Sequence, residues 1–138
     1  MSKLFKKLTR TYRSGEVIFE EGSYCDGIYS IQSGLVLVYK QKATPEGPIE
    51  IELGKLGVGS MFGEMGMLDK AKRDASVKAL EVTEVVIITQ SMFEAQLASL
   101  PPWIVNFIKI LNGRLRVTNE KLAAAMQQLD KYGNPPAT

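Results

Sequence analysis

The chain has 138 residues, enough for one domain with a modest core, and 45% of them are hydrophobic. Seventeen basic residues nearly balance fifteen acidic ones, for a net charge of +2, which argues against broad binding to nucleic acid or to a membrane surface. Histidine is absent and cysteine occurs once, at Cys25, so the commonest general base, the commonest metal ligand and any internal disulfide are all missing.

Taken in chain order, Ser2 to Thr9 reads as a short amphipathic helix, capped by Ser2, with Leu4, Phe5 and Leu8 on one side. From Tyr12 to Thr89 the pattern changes to short apolar runs: Val17–Phe19, Ile28–Ile31, Leu35–Tyr39, the strictly alternating Ile49–Leu53, Ala75–Leu80 and Val82–Thr89. Glycines punctuate the runs, among them Gly15, Gly22, Gly34, Gly59 and Gly63. Many short strands with regular turn signals imply a sandwich, a barrel or a jelly roll. The fold class expected is mainly β with flanking helices, a double-stranded β-helix preceded by a short helix and followed by a long one.

Gln90 to about Ala98 reads as a short helix, and Pro101-Pro102 punctuates the chain before a long one. In that long helix, expected to reach about Leu129, Ile104, Ile108, Leu111, Leu115, Thr118, Leu122, Ala125 and Leu129 alternate steps of four and three. This is a heptad seam. Trp103, Phe107 and Val117 add apolar surface beside it, so one face suits the domain and another suits a second copy of the chain, giving a homodimer. Residues 1–130 form one domain in this reading, and 131–138, with Gly133, Pro135 and Pro136, a disordered tail.

The segment richest in chemistry is Phe62-Gly63-Glu64-Met65-Gly66-Met67, followed after five residues by Arg73-Asp74-Ala75-Ser76-Val77. Gly63 lets the backbone approach a ligand, and successive free amides make an anion nest. Arg73 offers a planar fork that matches phosphate oxygens in pairs, and Glu64 can accept hydrogen bonds from sugar hydroxyls. Together they suit a phosphate joined to a ribose. Taken singly, Glu64 and Arg73 would pass for a surface ion pair, but Gly63, Gly66 and Ala75 around them have no stabilising value of their own.

On these residues the chain resembles the cyclic-nucleotide-binding domain family, whose phosphate cassette runs Phe-Gly-Glu, a small and an aliphatic residue, a spacer, then Arg, a small residue and Ala. Glu20 to Gly34 is similar to that family's first strand-loop-strand unit, and Arg114 to Lys121 to the long helix of its catabolite-activator branch. The resemblance implies cAMP or cGMP as ligand. Glu64 would hold the ribose 2′-hydroxyl and Arg73 the cyclic phosphate, with Gly63, Met65 and Ala75 framing the site. Arg114 would lie near the ribose and phosphate, Thr118 would bond the base, and Asn119 would reach the nucleotide held by a second copy. Val38, Leu53 and Leu56 would line the base pocket. For Thr118 the alternative is a polar register residue in the seam.

Asp74 departs from the cassette, where Ala, Ser or Thr is usual. A carboxylate beside a phosphate is repelled by about 1 kcal/mol in bulk water at 4 Å, and by more where partly buried. Asp74 could pair with Arg73 and leave the site weak or empty, turn out to Lys70 or Lys72, or accept the N1–H and N2–H₂ donors of guanine. The functional expectation is a regulatory sensor that binds cAMP or cGMP and signals through a dimerising helix. The alternative is a protein-interaction subunit whose pocket is degenerate. An enzyme is disfavoured, since no activated nucleophile is apparent; no metal and no cofactor is expected. With nine residues after Leu129, a helix-turn-helix is not expected, so DNA binding by this chain alone is not either. The single cysteine and the absence of a long apolar run suggest a reducing, cytoplasmic setting with no membrane span.

Overall fold

The computed structural model describes residues 8–64, 66–67 and 71–132, with backbone alone for 127 and 130–132. Eight strands and two longer helices are described: β1 (Thr9–Tyr12), β2 (Val17–Phe19), β3 (Gly27–Ser33), β4 (Leu35–Lys42), β5 (Ile49–Gly57), β6 (Met61–Phe62), β7 (Ser76–Ala79), β8 (Thr83–Thr89), α1 (Gln90–Ala98) and α2 (Pro102–Tyr132). They pair antiparallel into two four-stranded sheets, ordered β1-β8-β3-β6 and β2-β7-β4-β5. This is a jelly roll, one of the three architectures open to the spacing of apolar runs and glycines and the one the family resemblance implies.

Side-chain alternation explains why these strands close on one another. Tyr29 and Ile31 of β3, Val85 and Ile87 of β8 and Phe62 of β6 point inward from the first sheet. Val36 of β4 and Val77 of β7 meet them from the second. All seven are buried, and Phe19, Val38 and Leu56 pack against them from partly exposed positions. Burying side chains of this size contributes roughly 1.5–3 kcal/mol each, which offsets the ordering of short strands that could not stand alone.

Two strands lie outside the sequence reading. Thr9, expected as the end of a helix, instead opens β1 and pairs with Val86, because its β-branched, alternating neighbours suit a sheet edge. Residues 1–7, which carry the rest of that expected helix, lie outside the described set. The other strand, β6, is too short for any period to show. Helix α1 starts where expected, and Thr89 caps it by accepting the Met92 amide at 3.3 Å.

The chain divides into two compact units, Met1–Leu97 and Ala98–Thr138. The second holds α2, which runs to Tyr132, three residues past the expected end. Residues 133–138, where a disordered tail is expected, lie outside the described residues. Along α2, Trp103, Phe107, Leu111, Leu115, Leu122 and Leu129 are all exposed. No helix among the described residues is long and apolar enough to cross a membrane.

Candidate functional site

The cassette folds around one arginine. Strand β6 delivers Phe62 to the core, and the chain then turns at Gly63, whose φ of +82° favours glycine. A Cβ there would lie 2.6 Å from Arg73 Nη1, so both backbone shape and close approach exclude a side chain. Short backbone bonds pin the stretch leading to β7. Arg73 N donates to Ser23 O at 2.8 Å, Gly22 N donates to Arg73 O at 2.9 Å, and Glu21 N donates to Ser76 Oγ at 2.8 Å.

Arg73 is buried, 5% exposed, and its guanidinium points inward. Nη1 donates to Gly63 O at 2.6 Å, and Nη2 donates to Gly27 O at 2.8 Å and to Asp26 Oδ1 at 2.9 Å. Its Cζ lies 4.0 Å from the centre of the Phe19 ring, a cation–π contact. Nε has no hydrogen-bond partner among the described residues. Cys25 also supports the loop, its Sγ lying 3.7 Å from Gly63 O, a packing role for the lone thiol.

These groups border one cavity of about 200 Å³. Of the residues singled out in the sequence, Gly63, Glu64, Arg73, Asp74, Ala75, Val38 and Leu56 all line it. The sequence reading did not name Phe19, Met61, Phe62 and Val77 as wall residues; Phe62 and Val77 stand within the quoted segment, and for Phe19 and Met61 only apolar character could have hinted at it. It also missed Asp26, the partner of Arg73. Met65 lies outside the described residues.

Leu53 is not among the lining residues and is 54% exposed. The reason is a β-bulge: Val38 pairs with Gly54 and Tyr39 with Glu52, so Leu53 is the extra residue and the strand's inward face resumes beyond it. Arg114, Thr118 and Asn119 stand exposed on α2, in the second unit. The Thr118 hydroxyl donates to Arg114 O at 2.8 Å, one helical turn back.

Beneath the cavity, Phe19, Tyr29 and Phe62 form an aromatic cluster, with Tyr29 and Phe62 stacked at 5.1 Å. Burial, reinforced by the Asp26 carboxylate that its hydroxyl meets at 3.2 Å, pushes Tyr29 up from 10 to about 12. Because the raised value belongs to the folded state, this contribution is complete below pH 10 and is lost as pH rises from 10 to 12. Urea unfolding across that window is expected to show a stability loss on the order of 2–3 kcal/mol in the wild type. Tyr29→Phe should flatten that limb.

Two facing antiparallel sheets, with a glycine turn, an arginine and two carboxylates gathered at one small cavity, define a ligand-binding β-roll. The Cyclic nucleotide-binding domain profile matches residues 9–99. The Cyclic AMP receptor protein of Thermus thermophilus is 34% identical over 113 residues, covering 82% of this chain and 51% of that protein. Among solved structures, the EAL enzyme Bd1971 in its cAMP-bound form matches at a TM-score of 0.71 and 32% identity, over 89% of this chain and 32% of that one. Its cGMP-bound form matches at 0.70 and 29%, with the same coverages. The chain belongs to the cyclic nucleotide-binding domain family. It spans about half the length of the Thermus relative.

Proposed function

We propose that the chain is a regulatory module that binds a cyclic nucleotide, cAMP or cGMP, in the β-roll cavity and acts by binding, not by catalysis. The observation that carries this reading is the convergence of Gly63, Glu64 and Arg73 on one cavity with apolar walls at Val38 and Leu56. In it, Glu64 accepts from the ribose hydroxyl, Arg73 and the loop amides hold the phosphate, and Ala75 leaves room for both.

We assign Thr118 of α2 to the base and Arg114 to the ribose and phosphate; both side chains are exposed. The exposed seam through Leu111, Leu115, Leu122 and Leu129 fits a second copy of the chain, with Asn119 reaching the partner's nucleotide. A ligand that touches the helix seam favours one helix arrangement over another by its differential contacts, and that is the signal. Downstream effectors in this scheme are proteins, and the setting is the cytoplasm.

Calorimetric titration with cAMP and cGMP is expected to give saturable heat with at least one of them. If Asp74 accepts from guanine, cGMP binds more tightly, and Asp74→Ala erases that preference. Absence of heat with both at millimolar ligand would sink the reading. It would favour the second one, a protein-interaction subunit with a vestigial pocket, which draws support from the Asp74 carboxylate in the cavity wall and from the guanidinium already engaged by Asp26.

A further inference from the structure

Phe19 ends β2, a strand of three residues, and pairs with Val77 just beyond the cassette. This register brings its ring beside both halves of the phosphate site. Arg73 Cζ stands over the ring, 4.0 Å from its centre. A Cβ on Gly63 would lie 3.3 Å from Phe19 Cε2, so the same ring borders the glycine turn. Two further rings hold Phe19 in turn, Tyr29 at 5.6 Å and Phe62 at 5.8 Å between centres, both tilted against it.

Hydrogen bonds alone do not fix a guanidinium. Its five donors lie in one plane, so acceptors such as Gly63 O and Gly27 O restrain it within that plane far better than out of it. Restraint against tilt has to come from a group on its face. Phe19 supplies the nearest ring, since the centre of the Tyr29 ring is 5.6 Å from Cζ. We propose that Phe19 is a positioning residue for Arg73, its ring fixing the tilt of the guanidinium and so aiming the donors that take the ligand's phosphate. The proposal rests on the nucleotide reading above. The ring attracts the cation with or without a phosphate present, so cation–π attraction as such changes no affinity. Order is what changes it: a fork already held at one tilt loses less freedom when the anion arrives. A leucine in the same place would fill much of the space, but its surface is neither flat nor negative.

Titrated with cAMP and cGMP at fixed salt, Phe19→Leu is expected to bind roughly ten-fold more weakly than the wild type. The factor should be similar for every nucleotide that binds, because the phosphate is common to both. Phe19→Tyr keeps the ring and should restore most of the affinity. Nitrogen-15 relaxation of the Arg73 Nε–H group gives the readout that a merely structural role would not move: its order parameter should fall in Phe19→Leu and recover in Phe19→Tyr. In the wild type, the Arg73 side-chain protons should be shifted upfield by the ring current of Phe19, a measurement that needs no variant to fold. Wild-type affinity in Phe19→Leu, a loss confined to one of two binding nucleotides, or a Phe19→Tyr variant as weak as Phe19→Leu overturns the proposal. So does an order parameter equal in all three proteins, or the lack of an upfield shift. A wild type that binds neither nucleotide defeats the functional reading itself, and the positioning role falls with it.

Discussion

Arg73→Ala is expected to reduce cyclic-nucleotide affinity by roughly 100-fold or more, corresponding to about 3 kcal/mol of charge-assisted hydrogen bonding. No other arginine or lysine among the described residues lines the cavity, so nothing there replaces the charge. The same change should also weaken the fold. It strips a donor from Gly63 O, from Gly27 O and from Asp26, and removes the group stacked on Phe19. Each buried acceptor left unpaired costs about 1–3 kcal/mol, so a stability loss of about 3–5 kcal/mol is expected in urea unfolding. Arg73→Lys separates the two effects. It keeps the charge but loses the planar fork, so most of the binding loss should remain while part of the stability returns. Calorimetry and unfolding on the same samples check both.

Gly34→Ala should be the most damaging single methyl in the β-roll. Gly34 is the one residue between β3 and β4, which belong to opposite sheets, so the chain crosses the core at this corner. Its φ of +101° is unfavourable for any L side chain. A Cβ there would also sit 2.6 Å from Thr83 Cα and from Val82 O, backbone-anchored atoms that cannot swing away. Thr83 is fully buried, and its hydroxyl donates to Glu81 O at 2.9 Å and accepts from the Leu35 amide at 3.2 Å, so shifting it disturbs the start of β4 as well. The expected loss exceeds about 3 kcal/mol, combining backbone strain with overpacking. Gly22→Ala is the control. Its φ is +84° but nothing lies within 4 Å of the added methyl, so only the conformational penalty of about 1–2 kcal/mol applies. Matched urea midpoints would settle whether close approach or backbone shape dominates at Gly34.

How far the sequence could be read depended on whether the relevant physics is local. The runs at Val17, Ile28, Leu35, Ile49, Ala75 and Val82 all became strands, since alternation between glycine turns is a short-range signal. Strand β6 escaped because two residues carry no period, and β1 because Thr9 to Tyr12 owe their conformation to β8 across the sheet. The cassette was legible because its parts lie within sixteen residues, Phe62 to Val77. Asp26 was not, since it stands 47 residues before Arg73 and is joined to it by the fold alone. Leu53 misled for the opposite reason. Its strict alternation with Glu52 is real, but a bulge beside Gly54 reverses which side faces the core, and register shifts leave no mark on hydropathy.

The claim beneath all of this is that Glu64 and Arg73 share one ligand. A crystal of the protein grown with the tighter-binding cyclic nucleotide tests it directly. Density is expected in the β-roll cavity, with the phosphate against Arg73 and the Gly63 loop and a ribose hydroxyl on Glu64. Nucleotide bound elsewhere, or an empty cavity at saturating ligand, would contradict it.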